Sequence, residues 1–176
     1  MIDQVLIHIK SGRGGDGAIS GRHEKFIPRG GPDGGDGGKG GSVIFLGDSN
    51  ENTLLRFRYK RVYEAGHGGN GASAKKHGSD GRDVIVKVPV GTQIWDEEDI
   101  LVGDITENGQ ELIAATGGSG GYGNVKYASS TNQFPVIAQS GEEGVESDIR
   151  LELKLIADVG IIGAPNAGKS SLITYL

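Results

Sequence analysis

The chain has 176 residues, a net charge of −5, no cysteine and 33 glycines. This length allows one ordinary domain, or one domain and part of a second. There is no apolar run long enough to span a bilayer and no basic-then-apolar leader after Met1, so we expect a soluble cytoplasmic protein with no membrane partner.

Short strands are predicted along the chain by alternating apolar residues and β-branched runs. The first follows Val5, Ile7 and Ile9, and a last one covers the alternate apolar positions from 149 to 155. Asn108 and Gly109 predict a type I′ hairpin, because that turn needs positive φ at both central positions. Further strands are predicted at 42–46, 83–88, 100–105 and 111–115, with an acidic solvated turn at 96–99. The pattern favours a mostly antiparallel core of about six to eight strands.

Between these strands the pattern G-x-G-G-x-G occurs four times, at residues 12–17, 35–40, 66–71 and 118–123. In the second copy the glycines recur every third residue, which is the period of a polyproline II helix. Two edges of such a helix would be bare backbone. The third would carry Asp33, Asp36, Lys39 and Ser42. We therefore expect a packed layer of glycine-rich helices beside the β core; flexible linkers, the alternative, have no reason to keep a period of three.

The end of the chain matches the phosphate-binding pattern G-x-x-x-x-G-K-[ST]. A short apolar stretch precedes it and a helix-compatible stretch follows, as this loop requires. Backbone N–H groups would surround the phosphates, Lys169 would reach the β and γ phosphates, and the Ser170 hydroxyl would ligate Mg²⁺. The eight residues are Gly163, Ala164, Pro165, Asn166, Ala167, Gly168, Lys169 and Ser170. The chain ends six residues later, so we expect residues 158–176 to be an incomplete P-loop α/β fragment and the chain alone to be inactive.

Positive charge is concentrated in one half of the chain. Residues 1–82 carry 13 lysines and arginines against 9 acids, whereas residues 83–176 carry 5 against 14. A polyanion could therefore be bound by the first half and repelled by the second. The candidates for RNA contact lie beside glycine tracts, in loops that we expect to be exposed: Arg22, Lys25, Arg29, Lys75 and Lys76.

Two other groups of side chains are open to more than one interpretation. Arg56, Arg58 and Lys60 alternate with aromatic residues and fit either a basic stacking surface or an amphipathic strand edge. The four histidines show no spacing typical of a metal site.

Several ordered segments together resemble the Obg family of GTPases over essentially the whole chain. They are the glycine-rich run at 30–38, Val-Pro-Val-Gly-Thr at 88–92, Gly-Asn at 123–124, Ser-Ser-Thr-Asn at 129–132, and Leu-Glu-Leu-Lys at 151–154 leading into Ala-Asp-Val-Gly at 157–160. The resemblance implies a fold that is mostly β: a glycine-rich bundle of polyproline II helices on a small antiparallel β-barrel, over residues 1–157. A P-loop GTPase domain would begin at residue 158.

The resemblance also implies a function for the parent protein. It would bind and hydrolyse GTP with Mg²⁺, contacting GTP through residues 163–170, and would act in the assembly of the large ribosomal subunit. Its partner would be the rRNA of that subunit, with ribosomal proteins or assembly factors as further candidates, and we expect a monomer. The alternative is a protein-interaction or regulatory platform for a GTPase, without direct rRNA contact.

Overall fold

The computed structural model of the chain describes residues 4–22 and 30–154. These residues form eight strands, one short α-helix and one 3-10 helix, so the fold is mostly β, as predicted. The strands are β1 (Gln4–Lys10), β2 (Val43–Gly47), β3 (Val62–Glu64), β4 (Val84–Val88), β5 (Thr92–Trp95), β6 (Leu101–Ile105), β7 (Glu111–Ala115) and β8 (Glu146–Leu153). The helix is α1 (Leu55–Tyr59), and the 3-10 helix is Asn124–Tyr127.

The strands form two sheets, ordered β3-β1-β8-β5-β6 and β4-β2-β7. Four of the pairings are antiparallel, whereas β1 pairs with β3 and β2 with β4 in parallel. The expected closed barrel is therefore wrong for the described residues. The consecutive strands β6 and β7 pair with β5 and β2 in different sheets, and no ladder joins β3 to β4.

The predicted hairpin at Asn108 and Gly109 is also wrong. Gly109 has a φ of +79°, but Asn108 is not among the residues with positive φ, and the flanking strands lie in different sheets. Residues 107–110 still form a turn: the Gln110 N–H donates to the Glu107 carbonyl at 3.3 Å, and the Gln110 Oε1 accepts from the N–H groups of Thr106 at 2.8 Å and Glu107 at 3.1 Å. The paired hairpin is β5–β6, which turns through the acidic residues 96–99.

One apolar core lies between the two sheets. Alternate residues of the strands supply it, including Ile7 and Ile9 of β1 and Ile149 and Leu151 of β8, all of which are buried. β1 and β8 pair over their whole shared length, so these residues line the same face of the larger sheet. The strands predicted from alternation are confirmed to within a few residues, although position 155 of the last one lies outside the described residues.

The segment with alternating basic and aromatic residues is a helix, so its assignment to a strand edge is wrong. In α1 the side chain of Phe57 is buried and contacts Tyr63 with ring centroids 5.9 Å apart, whereas Tyr59 is 83% exposed. Five residues make little more than one helical turn, too few for a helical period to be visible in the sequence. Burial of Leu54 and Phe57 fixes this helix on the core.

Six segments without regular strand or helix form a separate layer, joined to the strands at one end. We call them the first to sixth layer segments: residues 11–18, 33–42, 65–72, 77–83, 116–123 and 135–145. Backbone N–H groups bond from one segment to the next at every third residue. In the first segment, Gly12 and Gly15 donate to the carbonyls of Gly41 and Gly38, each at 2.8 Å. The glycine tracts are thus bonded elements of the fold, and the linker interpretation is wrong.

The layer needs glycine because its backbones pass too close for a side chain. A Cβ atom on Gly37 would overlap the carbonyl of Gly15, and one on Gly40 would overlap that of Gly12. Among the described glycines only Gly91 and Gly109 lie in the left-handed region, so positive φ is not the reason for the tracts. Gly31 belongs to the same three-residue series, yet nothing lies within 4 Å of its Cβ position.

Candidate nucleic-acid interface

The ends of the layer segments opposite the strands are joined by three connections, which we call the tips. The first tip is residues 19–32, of which 23–29 lie outside the described residues; the second is 73–76 and the third is 125–134. The three tips lie together because the segments that carry them are bonded side by side: Ala18 and Asn124, which precede the first and third tips, form a hydrogen bond of 2.9 Å. This end of the layer is the candidate interface.

The second tip presents Lys75 and Lys76, both exposed as predicted. Within the described part of the chain neither lysine has an ion-pair partner. Ala74 and Lys75 have φ values of 58° and 57°, in the left-handed region that non-glycine residues rarely adopt. The turn therefore holds two residues in an unfavourable conformation, which persists only where surrounding contacts fix it.

Asp33 supplies those contacts. Its carboxylate accepts a hydrogen bond from the N–H of Ala74 at 3.1 Å, and its backbone carbonyl accepts one from the N–H of Lys75 at 2.6 Å. The same carboxylate accepts from the Ser20 hydroxyl at 2.5 Å. Asp33 thus fixes the second tip and joins it to the first.

Asn124 joins the first tip to Pro135, so it links the first tip to the two ends of the third. It is fully buried; its Oδ1 accepts from the N–H of Gly34 at 2.9 Å, and its Nδ2 donates to the carbonyls of Ser20 at 2.9 Å and Pro135 at 3.1 Å. The ring of Phe134 also lies against Gly21. The described parts of the three tips are therefore held together by side chains between the segments.

Asp36 adds a charged group near the base of the second and third tips. One of its oxygens accepts from the N–H of Gly123 at 2.8 Å. The other lies 3.7 Å from Nδ1 of His77 and 3.9 Å from Nζ of Lys126. The Lys126 ammonium group also lies 5.8 Å from the ring of Tyr122, so a basic and aromatic pair stands beside the third tip.

The three-residue glycine period predicts Asp33 on the edge that carries side chains, but it predicts no role for Asp33 or Asn124 in holding the tips. Asp33 follows Pro32, which forms an isolated bridge to Gly21, and this contact between the two sides of the first tip is not visible in the sequence. For Asn124 the sequence gives a weak indication of a structural role. It follows the last glycine of the fourth repeat copy, where a polar residue can end the tract.

The other predicted site residues are only partly described. Arg22 is exposed at the first tip, where its N–H donates to Gly31 and its carbonyl accepts from Gly30, both at 3.1 Å. Lys25 and Arg29 lie outside the described residues, as does the whole P-loop at 163–170 with its proposed GTP and Mg²⁺ ligands.

The described residues contain neither a metal-binding cluster nor a membrane-spanning helix. Over residues 4–22 and 30–154 there is no group of three histidine or acidic side chains placed to hold a metal ion. Nor does a helix in these ranges have the length and apolar character needed to cross a membrane.

Comparison with known proteins assigns a family. The model of the GTP1/OBG family matches residues 2–155. The GTPase Obg of Lactobacillus acidophilus is 50% identical over 174 residues, covering 98% of this chain and 40% of that protein. The GTPase Obg of Caldanaerobacter subterraneus subsp. tengcongensis is 55% identical over 173 residues, covering 98% and 41%, and that of a Sulfurihydrogenibium species is 51% identical over 176 residues, covering 99% and 51%.

The chain spans 40 to 51% of the length of these three relatives. Its family match extends over the glycine layer and both sheets, and its overall identity to the three relatives is 50 to 55%. The chain belongs to the GTP1/OBG family and is a relative of the Obg GTPases.

Proposed function

We propose that this chain is the RNA-binding part of an Obg-type GTPase, and that it contacts the rRNA of the large ribosomal subunit through its three tips. The observation that carries the proposal is the second tip, where Lys75 and Lys76 project without ion-pair partners in the described structure from a turn held by Asp33. The parent protein would act in the assembly of the large subunit, in the cytoplasm and as a monomer.

Rigidity supports this proposal. Association must order any flexible side chain or loop at the interface, and each ordered side chain costs roughly 0.5–1.5 kcal/mol. The described parts of the tips are cross-linked by Asp33 and Asn124, so less order has to be imposed there on binding and more of the contact energy remains as affinity. A rigid surface also suits a folded RNA, which presents phosphates at fixed separations.

Local charge supports it too. The chain carries −5 overall, so its general field repels RNA, and binding requires a concentrated basic patch that displaces counterions. The first and second tips contain Arg22, Lys25, Arg29, Lys75 and Lys76. The acidic residues from 142 to 148 follow the third tip, and Glu142 has a pKa below its ordinary value because Ser119 donates hydrogen bonds to it.

We also propose that the layer segments are polyproline II helices. Inter-segment donors at every third residue support this conformation, as does the absence of left-handed glycines within the described tracts. A polyproline II helix has no internal hydrogen bonds, so its backbone groups are free to bond to neighbouring segments.

The catalytic part of the proposal is that the parent binds and hydrolyses GTP with Mg²⁺. The names of the relatives support it, as does the P-loop sequence, in which Lys169 would stabilise charge on the phosphates and Ser170 would ligate the metal. The 176-residue chain should show no GTP turnover above buffer, whereas the longer parent should hydrolyse GTP slowly. If this chain hydrolysed GTP and Lys169→Ala abolished that activity, the prediction of an incomplete site would be wrong.

The RNA proposal is tested with a double charge reversal. Lys75→Glu with Lys76→Glu should weaken association with purified large subunits about tenfold or more, equivalent to roughly 1.4 kcal/mol, and should reduce its salt dependence. The control, Lys39→Glu with Arg82→Glu, changes the charge equally at exposed positions of the layer away from the tips and should leave binding close to that of the parent chain.

If both double variants weakened binding to large subunits equally, net charge alone would explain the effect. Unchanged binding in the Lys75 and Lys76 variant, and again after reversal of Arg22, Lys25 and Arg29, would favour the protein-interaction platform without rRNA contact.

A further inference from the structure

A groove on the β core, separate from the tips, lies between α1 and the edge of the smaller sheet. It encloses about 460 Å³. Its lining combines basic, aromatic and aliphatic side chains: Leu46, Arg56, Lys60, Tyr63, Ile85 and Lys87, with Val86 between the last two. Nothing in the proposed RNA contact uses this groove.

Strand β4 forms one wall, and no ladder is formed on its outer edge among the described residues. Within the described residues β4 pairs with β2 alone. The Val84 N–H donates to the Ser42 carbonyl at 2.9 Å, and the Val88 carbonyl accepts from the Asp48 N–H at 2.9 Å. Because a parallel ladder uses alternate residues, the peptide groups of Ile85 and Lys87 face away from β2. Two N–H donors and two carbonyl acceptors therefore point to the groove side.

The other surfaces of the groove are apolar below and basic at the rim. Ile85 is 57% exposed, and Leu46 lies beside Lys87 across the β2–β4 ladder. Lys60 places its ammonium group 4.9 Å from the ring of Tyr63. This arrangement suits an apolar side chain over Ile85 and a carboxylate near Lys60.

The groove keeps a net positive charge after the ion pairs of its basic side chains are counted. Arg56 pairs with Glu51 at 2.7 Å and Lys87 with Asp48 at 2.8 Å, which leaves Lys60 without a carboxylate partner among the described residues. The Arg56 guanidinium group itself lies against the core, with its carbon 4.8 Å from the centre of the Phe57 ring.

From these features we infer that the groove binds an extended acidic segment of another protein, which adds as a strand to the outer edge of β4. Its backbone pairs with Ile85 and Lys87, its apolar residues contact Ile85 and Leu46, and its carboxylates approach Lys60 and Lys87. Lys87 disfavours a second copy of β4 as the occupant, because edge lysines oppose self-pairing. RNA fits less well, since Tyr63 is only 9% exposed and offers no free face for a base.

The test uses the 176-residue chain and a fluorescein-labelled heptapeptide of alternating glutamate and valine. Fluorescence anisotropy should show saturable binding, and the corresponding lysine and valine peptide should not bind. N-methylation of alternate amides of the acidic peptide should abolish binding, because it removes the backbone donors while keeping every charge. Equal affinity of the methylated peptide would overturn the inference.

Protein variants separate the groove from general charge. Lys60→Ala with Lys87→Ala should weaken peptide binding by about tenfold, whereas the exposed control pair Lys39→Ala with Lys154→Ala should leave it unchanged. Thermal unfolding of each variant checks that the fold is retained. An equal loss in both pairs would contradict a specific site.

Amide hydrogen exchange locates the strand addition. Without peptide, the Val86 amide should be protected by β2 while those of Ile85 and Lys87 exchange quickly. Saturating peptide should slow Ile85 and Lys87 and leave Val86 unchanged. Peptide binding without this protection would exclude the β4 edge. If an equal concentration of oligouridylate displaced the peptide, and the methylated peptide still bound, the groove would be an RNA site instead.

Discussion

The carboxylate of Asp33 accepts a hydrogen bond from the backbone N–H of Ala74 at 3.1 Å, so a residue of the second layer segment fixes the turn that presents Lys75. This contact crosses between parts of the chain that are far apart in sequence. It makes Asp33 a positioning residue for the proposed RNA contact, although Asp33 itself carries the wrong charge to bind RNA.

Asp33→Ala should therefore lower the free energy of unfolding by about 1–2 kcal/mol and weaken binding to large subunits, because the tips lose the carboxylate that accepts from Ala74 and Ser20. Asp80→Ala is the matched control, since it removes a similar bond of 2.8 Å to the N–H of Lys39, away from the tips. It should lower stability comparably and spare binding. If the two variants lost binding equally, Asp33 would have no special role in positioning.

The close approach of the layer segments predicts a large difference between two glycines of one series. Gly37→Ala should lower the free energy of unfolding by more than about 3 kcal/mol, because its Cβ would overlap backbone that cannot move independently. Gly31→Ala should change it by less than about 0.5 kcal/mol, since the space there is open. Chemical denaturation measures both values, and a mild effect at Gly37 would show that the layer can separate locally.

The left-handed turn at the second tip predicts a stabilising substitution. Ala74→Gly should raise the free energy of unfolding by about 0.5–1 kcal/mol, because glycine adopts a φ of 58° without the steric cost to alanine. Ala72→Gly serves as the comparison; its φ is not positive, so it should lower stability by about the same amount. We expect the midpoint of thermal unfolding to rise in the Ala74 variant and to fall in the Ala72 variant.

His8 predicts a pH dependence of stability. Its ring lies 2.7 Å from Asp148 and 3.1 Å from Glu146, and the hydrogen bond to Asp148 is the main reason that its pKa is raised above 6.5. A raised pKa in the folded state means that the stabilisation is fully present below pH 6.5 and is lost as the pH rises through the folded value.

His8→Gln should consequently destabilise the chain more at pH 5.5 than at pH 8, measured by denaturant titration at each pH. Asp148→Asn should reduce the same difference. A constant effect of His8→Gln across this range would assign the role of His8 to packing rather than to its charge.

Sequence pattern was enough to predict the strands whose residues alternate in burial. β1, β7 and β8 were found because one face meets the core and the other meets solvent. β5 (Thr92–Trp95) was missed because three of its four residues are buried, including the polar Thr92 and Gln93, so no alternation marks it. The helix α1 was missed because it is too short to display its period.

The glycine layer could be predicted as a layer, since a period of three repeated between strands is incompatible with a random linker. The hydrogen-bond partners of each segment could not be predicted, because glycine backbones are chemically identical and the sequence does not show which of them pair. Asp33 and Asn124 act across such pairings. Their roles depended on contacts between segments far apart in sequence, and only the folded arrangement brings those segments together.

The wide sequence separation of the bonds in the layer has a consequence for the order of folding. Gly14 donates to Glu142, and Gly118 donates to Gly12, so the first segment cannot complete its bonds until almost the whole described chain is present. Such distant contacts form slowly, because the loop between them must close before any bond stabilises it. During synthesis the first segment can therefore bond to the second and third as they appear, but it completes its set of bonds only after the sixth has emerged.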